Sequence, residues 1–158
     1  MKSIKLTQGR FALVDDYDFI WLNKFKWYAH KGHNTFYAIR TPLKDGKQIT
    51  IRMHRAIMNA CEGEMIDHEN HNGLDNQKHN LRFCTRSQNS CNKINSNRGI
   101  SKYKGVYYIE KTKKWKGCIR TNKILKYFGM FTTELEAAII YNILARRYHG
   151  DFAYTNKF

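Results

Sequence analysis

Residues 66–89 read IDHENHNGLDNQKHNLRFCTRSQN, a stretch rich in Asn and His and poor in apolar side chains. It is bracketed by two short strand-like runs, MIDH at 65–68 and LRFC at 81–84. Between them ENHNGLDNQKH is dense in turn formers and reads as a loop. Thr85 and Gln88 then stand at the Thr-x-x-Gln spacing of a capping box, which opens a helix of about two or three turns. Two strands and a helix packed together would bring Asp67, His68 and Asn89 close, although composition alone does not place them. Asp67 and His68 are adjacent on a strand, so their side chains point to opposite faces unless the strand bends.

Upstream, the first fifty residues are β-rich with one short helix. ALVD at 12–15, WYAHK at 27–31, FYAIR at 36–40 and ITIRM at 49–53 are strand-like. In ITIRM, Ile49, Ile51 and Met53 fall on one face by alternation. DDYDFIWLNKF from Asp15 reads as a capped helix, DGK at 45–47 as a hairpin turn, and HRAIMNA from about His54 as a second short helix. Downstream, NKINSNRGIS from Asn92 is a polar linker. KGVYYI at 104–109, KWKGCIRT at 114–121 and ILKYFG at 124–129 are three consecutive strands. Thr133 and Glu136 form another capping box, and the helix it opens ends at Gly150. The expected class is α+β, with a β-rich region at 1–48, a core at 49–96, a linker at 97–102 and a three-stranded antiparallel sheet packed on one helix at 103–156.

The chain has 158 residues, 42% of them hydrophobic, and carries a net charge of +15. That excludes a disordered tail and points to a polyanionic partner. The charge is unevenly spread: eleven Lys/Arg against four Asp/Glu in residues 1–60, five against five in 61–100, and twelve against four in 101–158. The basic excess vanishes where a cation-binding centre would need its carboxylates. No apolar run is long enough to span a bilayer, no basic amphipathic helix suggests a membrane surface, and no secretory leader is visible; the expected location is the cytoplasm. Cys61, Cys84, Cys91 and Cys118 lack zinc-ligand spacing and read as free thiols.

Hydrolysis of a phosphodiester needs a base to take a proton from water and positive charge to stabilise the phosphate. A His near neutral pKa suits the first task, and a hard divalent cation on oxygen ligands suits the second. MHR at 53–55 and the 66–89 stretch, with its spacing, resemble the His-Asn-His (HNH) endonucleases of ββα-metal fold, above all phage and intron homing endonucleases. The resemblance covers roughly residues 49–96. It implies His68 as general base, Asp67 and Asn89 as ligands of one Mg²⁺ or Mn²⁺, and Asn80 as the Asn that ties the loop by hydrogen bonds and supports His68. Many HNH enzymes have His where Asn89 stands; an amide oxygen still ligates a hard cation. The simpler assignments are solvated loop residues for His71 and His79, turn residues for Asn70, Asn72 and Asn76, and a structural or phosphate-contacting role for His54.

YKGV at 103–106, KW at 114–115, IR at 119–120, YFGMF at 127–131 and EAAIIYN at 136–142 resemble the plant ethylene-response-factor (APETALA-type) DNA-binding domain, also found in phage homing endonucleases. The resemblance implies a sheet that enters the major groove, backed by a helix. Period two turns Val106, Trp115, Ile119 and Phe128 toward the helix, to meet Ala137, Tyr141 and Leu144. Tyr107, Lys114, Lys116, Arg120 and Tyr127 are then candidate DNA contacts, with Lys104 a phosphate contact and Arg120 the candidate reader of guanine. The plant domains use several arginines where this chain has Tyr107 and Ile109. Arg10, Arg40, Arg52 and Arg55 serve phosphate contact or plain surface charge equally well.

The implied activity is metal-dependent hydrolysis of double-stranded DNA, with no small-molecule cofactor and a monomer or homodimer as the working form. A monomer with one metal site would nick; a dimer would cut both strands. The resemblance also implies a phage or mobile-element origin, in a bacterial host cell. Two rivals remain: a catalytically inactive DNA-binding regulator, and a basic RNA-binding or ribosome-associated protein.

Overall fold

In the computed structural model, which describes residues 1–94, 100–121 and 123–158, the chain forms two compact units, Met1–Thr85 and Arg86–Phe158. Residues 95–99, which hold the end of the expected core and half of the expected linker, lie outside the description.

The first unit opens on a hairpin of β1 (Lys2–Lys5) and β2 (Phe11–Val14), followed by α1 (Asp16–Leu22). β1 is a strand that the sequence reading passes over. β3 (Tyr28–Lys31) pairs with β4 (Phe36–Arg40), which pairs on its other side with the short β7 (Ile51–Arg52). Between β4 and β7 the chain makes a small hairpin, β5 (Leu43–Lys44) and β6 (Lys47–Gln48). Its turn residues Asp45 and Gly46 both have positive φ, 51° and 74°, the backbone that a tight two-residue hairpin turn demands and Asp-Gly supplies. The expected strand at 49–53 is cut to two residues, because Met53 begins α2 (Met53–Ile57). Met53 is wholly buried while Ile49 is exposed, so the two do not share a face. β8 (Met65–His68) and β9 (Leu81–Cys84) then form an antiparallel hairpin around a long loop.

The core of this unit gathers Ile4, Leu6, Val14, Leu22, Trp27, Met53, Ile57 and Leu81. The β8–β9 loop is sewn onto β2: Leu13 N–H donates to Leu74 C=O and Asn76 N–H donates to Leu13 C=O, both at 2.8 Å. The Asp15 carboxylate adds a bond from Lys78 N–H at 2.8 Å. A polar loop that could not bury apolar surface is thus held by hydrogen bonds to a rigid strand.

The second unit begins with α3 (Arg86–Asn92), the helix that carries Asn89. β10 (Val106–Ile109), β11 (Lys114–Thr121) and β12 (Ile124–Phe131) form a three-stranded antiparallel sheet, and α4 (Glu134–His149) covers one face. The Thr133–Glu136 capping box is present with both reciprocal bonds, and Gly150 closes the helix with positive φ. Val106 and Trp115 meet Ala137, while Ile119 and Phe128 meet Tyr141 and Leu144, as period two requires. The molecule is α+β. Among the described residues no helix is long and apolar enough to cross a membrane, and all four cysteines are free thiols.

Candidate active site

Strand alternation separates the two residues at the end of β8. Asp67 pairs across the hairpin with Arg82, and His68 with Leu81. The His68 ring is only 7% exposed. It lies 5.0 Å from the His54 ring and 5.9 Å from the Tyr37 ring, centroid to centroid. Tyr37 in turn touches His54 at 5.7 Å. β4 supplies Tyr37 and the first turn of α2 supplies His54. The Tyr37 ring fits a slot between two glycines: a Cβ on Gly32 would come within 2.6 Å of it, and one on Gly73 within 2.7 Å. Side chains at either position would push Tyr37 off the histidine pair.

Asn76 sets the chemistry of His68. It is fully buried, and its Nδ2 donates to Leu74 C=O at 3.2 Å. That leaves Oδ1 facing His68 Nε2, at 3.4 Å. An amide oxygen only accepts, so Nε2 carries the proton and Nδ1 holds the lone pair. Burial pushes the His68 pKa below its ordinary value, against the opposing pull of Asn76, Asp67 and Asp75. His68 is therefore a neutral imidazole of fixed tautomer at neutral pH, the state a general base needs. His54 is pushed down to about 3 by burial, then by the neighbouring His68 and by Arg52 and Arg55. Its Nδ1 has no hydrogen-bond partner among the described residues.

The loop carries this geometry. Asn80 Oδ1 accepts from Asn70 N–H at 3.0 Å, and Asn80 Nδ2 donates to Asp75 C=O at 2.8 Å. One buried side chain thereby spans the loop from both ends. Asn70 and Asn72 accept from the N–H two residues on, at 2.8 and 3.1 Å, the local turns expected of them. Asn80 ties the loop, and Asn76 hydrogen-bonds to the His68 ring. The sequence reading took Asn76 for a turn residue, and only its place in the folded loop reveals the contact.

Asp67 is buried, and its Oδ2 accepts from Arg82 Nε at 3.1 Å and Nη2 at 2.9 Å. Arg82 also approaches Glu69, at 3.5 Å. Among the described residues there is no group of three or more His, Cys, Asp or Glu side chains that could hold a metal. One carboxylate beside a guanidinium is not a preformed cage. It fits a hard cation that keeps most of its shell as water and substrate phosphate, as Mg²⁺ commonly does. Asn89, the other expected ligand, lies on α3 in the second unit.

In the second unit Tyr107, Lys114, Arg120 and Tyr127 are exposed and Lys116 half-buried, on the sheet face away from α4. Lys104 is engaged elsewhere: its ammonium donates to the carbonyls of Cys91 and Lys93 at 2.6 and 2.7 Å, closing the end of α3. Burial lowers its pKa to about 8. Its place in the fold is that of a helix clamp. In the first unit, Arg10 and Arg40 stack on Phe36 and Phe25 at 3.5 and 3.9 Å, and Arg55 donates to backbone carbonyls, including Cys61 at 2.7 Å.

No protein-family profile and no solved structure matches the chain. An AP2-like ethylene-responsive transcription factor of Arabidopsis thaliana is 44% identical over 62 residues, 37% of this chain and 18% of that protein. An uncharacterized HNH endonuclease of Acanthamoeba polyphaga mimivirus is 35% identical over 157 residues, 95% of this chain and 76% of that protein. With that likeness along nearly its whole length, the chain belongs to the HNH endonuclease family.

Proposed function

We propose that the protein is a metal-dependent DNA endonuclease in which His68 is the general base. The observation that carries this reading is the His68 imidazole, held neutral by its burial and turned by Asn76 so that its lone pair is on Nδ1. His68 Nδ1 takes a proton from water as the water oxygen attacks phosphorus, and the bond from phosphorus to the leaving sugar oxygen breaks. Asp67 would help to hold a divalent cation, Mg²⁺ or Mn²⁺, which when bound supplies charge stabilisation to the phosphate oxygens. Asn80 holds the loop from which Asn76 reaches His68. Tyr107, Lys114, Lys116, Arg120 and Tyr127 form the surface that grips double-stranded DNA, as the partial likeness to the plant transcription factor suggests. A monomer with one such centre cuts one strand.

The test is incubation of supercoiled plasmid with protein and Mg²⁺ or Mn²⁺, with and without EDTA. Relaxed or linear product that EDTA abolishes is expected; its absence with every metal and every DNA tried sinks the proposal. One observation favours a second reading, a DNA-binding regulator that does not cut: the Arg82 guanidinium stands on Asp67, where it competes with a cation for the carboxylate. On that reading the protein binds plasmid in EDTA and in Mg²⁺ alike and leaves it intact.

A further inference from the structure

The face of β10–β12 turned away from α4 has an unusual make-up for a solvent-facing sheet. Cross-strand register aligns Tyr107 with Lys116 and Lys116 with Met130, then Cys118 with Tyr127, and Arg120 with Leu125. Outward positions of a half-buried sheet are normally polar. Here Tyr107, Leu125, Tyr127 and Met130 are 56%, 40%, 60% and 50% exposed. None of them is needed for the core, which lies on the opposite face with Ile119, Phe128 and Tyr141. Cations are interleaved with them: Lys114, Lys116 and Arg120. The Lys116 ammonium stands 3.6 Å from the Tyr127 ring centroid, so one of these charges lies along the sheet over an aromatic face.

In the major groove guanine is read by Arg or Lys, adenine by Asn or Gln, and thymine by apolar contact with its 5-methyl group. Among the described residues this face holds one guanidinium, no carboxamide and five large apolar or aromatic side chains, Tyr107, Ile109, Leu125, Tyr127 and Met130. The interleaved charge matches a polyanion, and residues 101–158 carry twelve Lys/Arg against four Asp/Glu. An apolar protein partner would meet three cations that it could not pair.

We propose that this face reads thymine 5-methyl groups in duplex DNA, with Leu125, Tyr127 and Met130 as the specificity-determining side chains and Arg120 reading guanine beside them. The proposal rests on the sheet being the DNA-contacting surface. It gives the target class as A·T-rich duplex, with the methyl group, not the A·T pair as such, as the recognised feature.

The experiment measures binding of the full chain in EDTA to an A·T-rich duplex, and to the same duplex with every thymine replaced by uracil. Phosphate charge is identical, so the salt dependence is the same for both. Loss of the methyl groups should weaken binding by about 4-fold per methyl contacted. In a G·C duplex, 5-methylation of cytosine should strengthen it. The double variant Leu125→Ala, Met130→Ala, both exposed positions, should shrink the thymine–uracil difference and leave the salt slope unchanged. Equal affinity for the two duplexes, with Arg120→Ala weakening both, would overturn methyl reading while leaving the sheet as the DNA surface. If Lys116→Glu and Arg120→Ala leave binding unchanged, the sheet is not that surface and the underlying reading fails as well.

Discussion

The loop between β8 and β9 and the outer face of β10–β12 both carry many polar groups, and they use them in opposite ways. The loop turns its amides inward: Asn76 and Asn80 are buried, and both amide ends of each are bonded. Few charges are involved, and residues 61–100 balance at five of each sign. The sheet face turns lysines, an arginine and tyrosines outward and ties few of them to the protein. One region spends its polar groups on internal geometry, the other keeps them for a partner. A catalytic centre needs the first, because a base misplaced by an ångström loses most of its effect. A gripping surface needs the second.

That contrast predicts where substitutions act. Asn80→Ala strands the Asn70 N–H and the Asp75 C=O in a buried loop, which costs about 2–4 kcal/mol; urea unfolding measures it, and an unchanged midpoint would break the comparison. Asn76→Ala frees the tautomer and the ring of His68, and should slow plasmid cleavage about 10- to 100-fold with unaltered DNA affinity. His54 makes the first unit sensitive to acid. Its folded pKa of about 3 lies below the unfolded 6.5, so the unfolded chain binds the extra proton between these values. Stability is full above pH 6.5 and falls as pH drops toward 3, by about 1.4 kcal/mol per unit. Unfolding of His54→Phe followed against pH should show a shallower slope, the remainder coming from His68. Lys114→Ala, on the sheet face, should leave stability within about 0.5 kcal/mol and reduce the salt slope of DNA binding by about 1.

Much of the frame was legible from local chemistry. Thr133 and Glu136 announce the start of α4, Asp45–Gly46 marks its hairpin, and alternation assigns the two faces of the last sheet correctly. What escaped were contacts made through space. Asn76 looks like any turn residue until the loop folds back on His68. Lys104 looks like a phosphate contact until its ammonium meets the end of α3. His54, at the start of a short helix, gives no sign of stacking on a residue fourteen positions later. Met53 leaves its strand because burial in the first core outweighs the alternation of ITIRM. The pairing of Asp67 with Arg82 also required the strand register, which spacing does not supply.

The central claim is that His68 is the base of a nuclease centre. The most direct measurement compares the rate of Mg²⁺-dependent plasmid cleavage by the wild type and by His68→Ala, with DNA affinity measured in EDTA alongside. The account predicts a loss of about 10²- to 10⁴-fold in rate at unchanged affinity. Equal rates for the two proteins would contradict it.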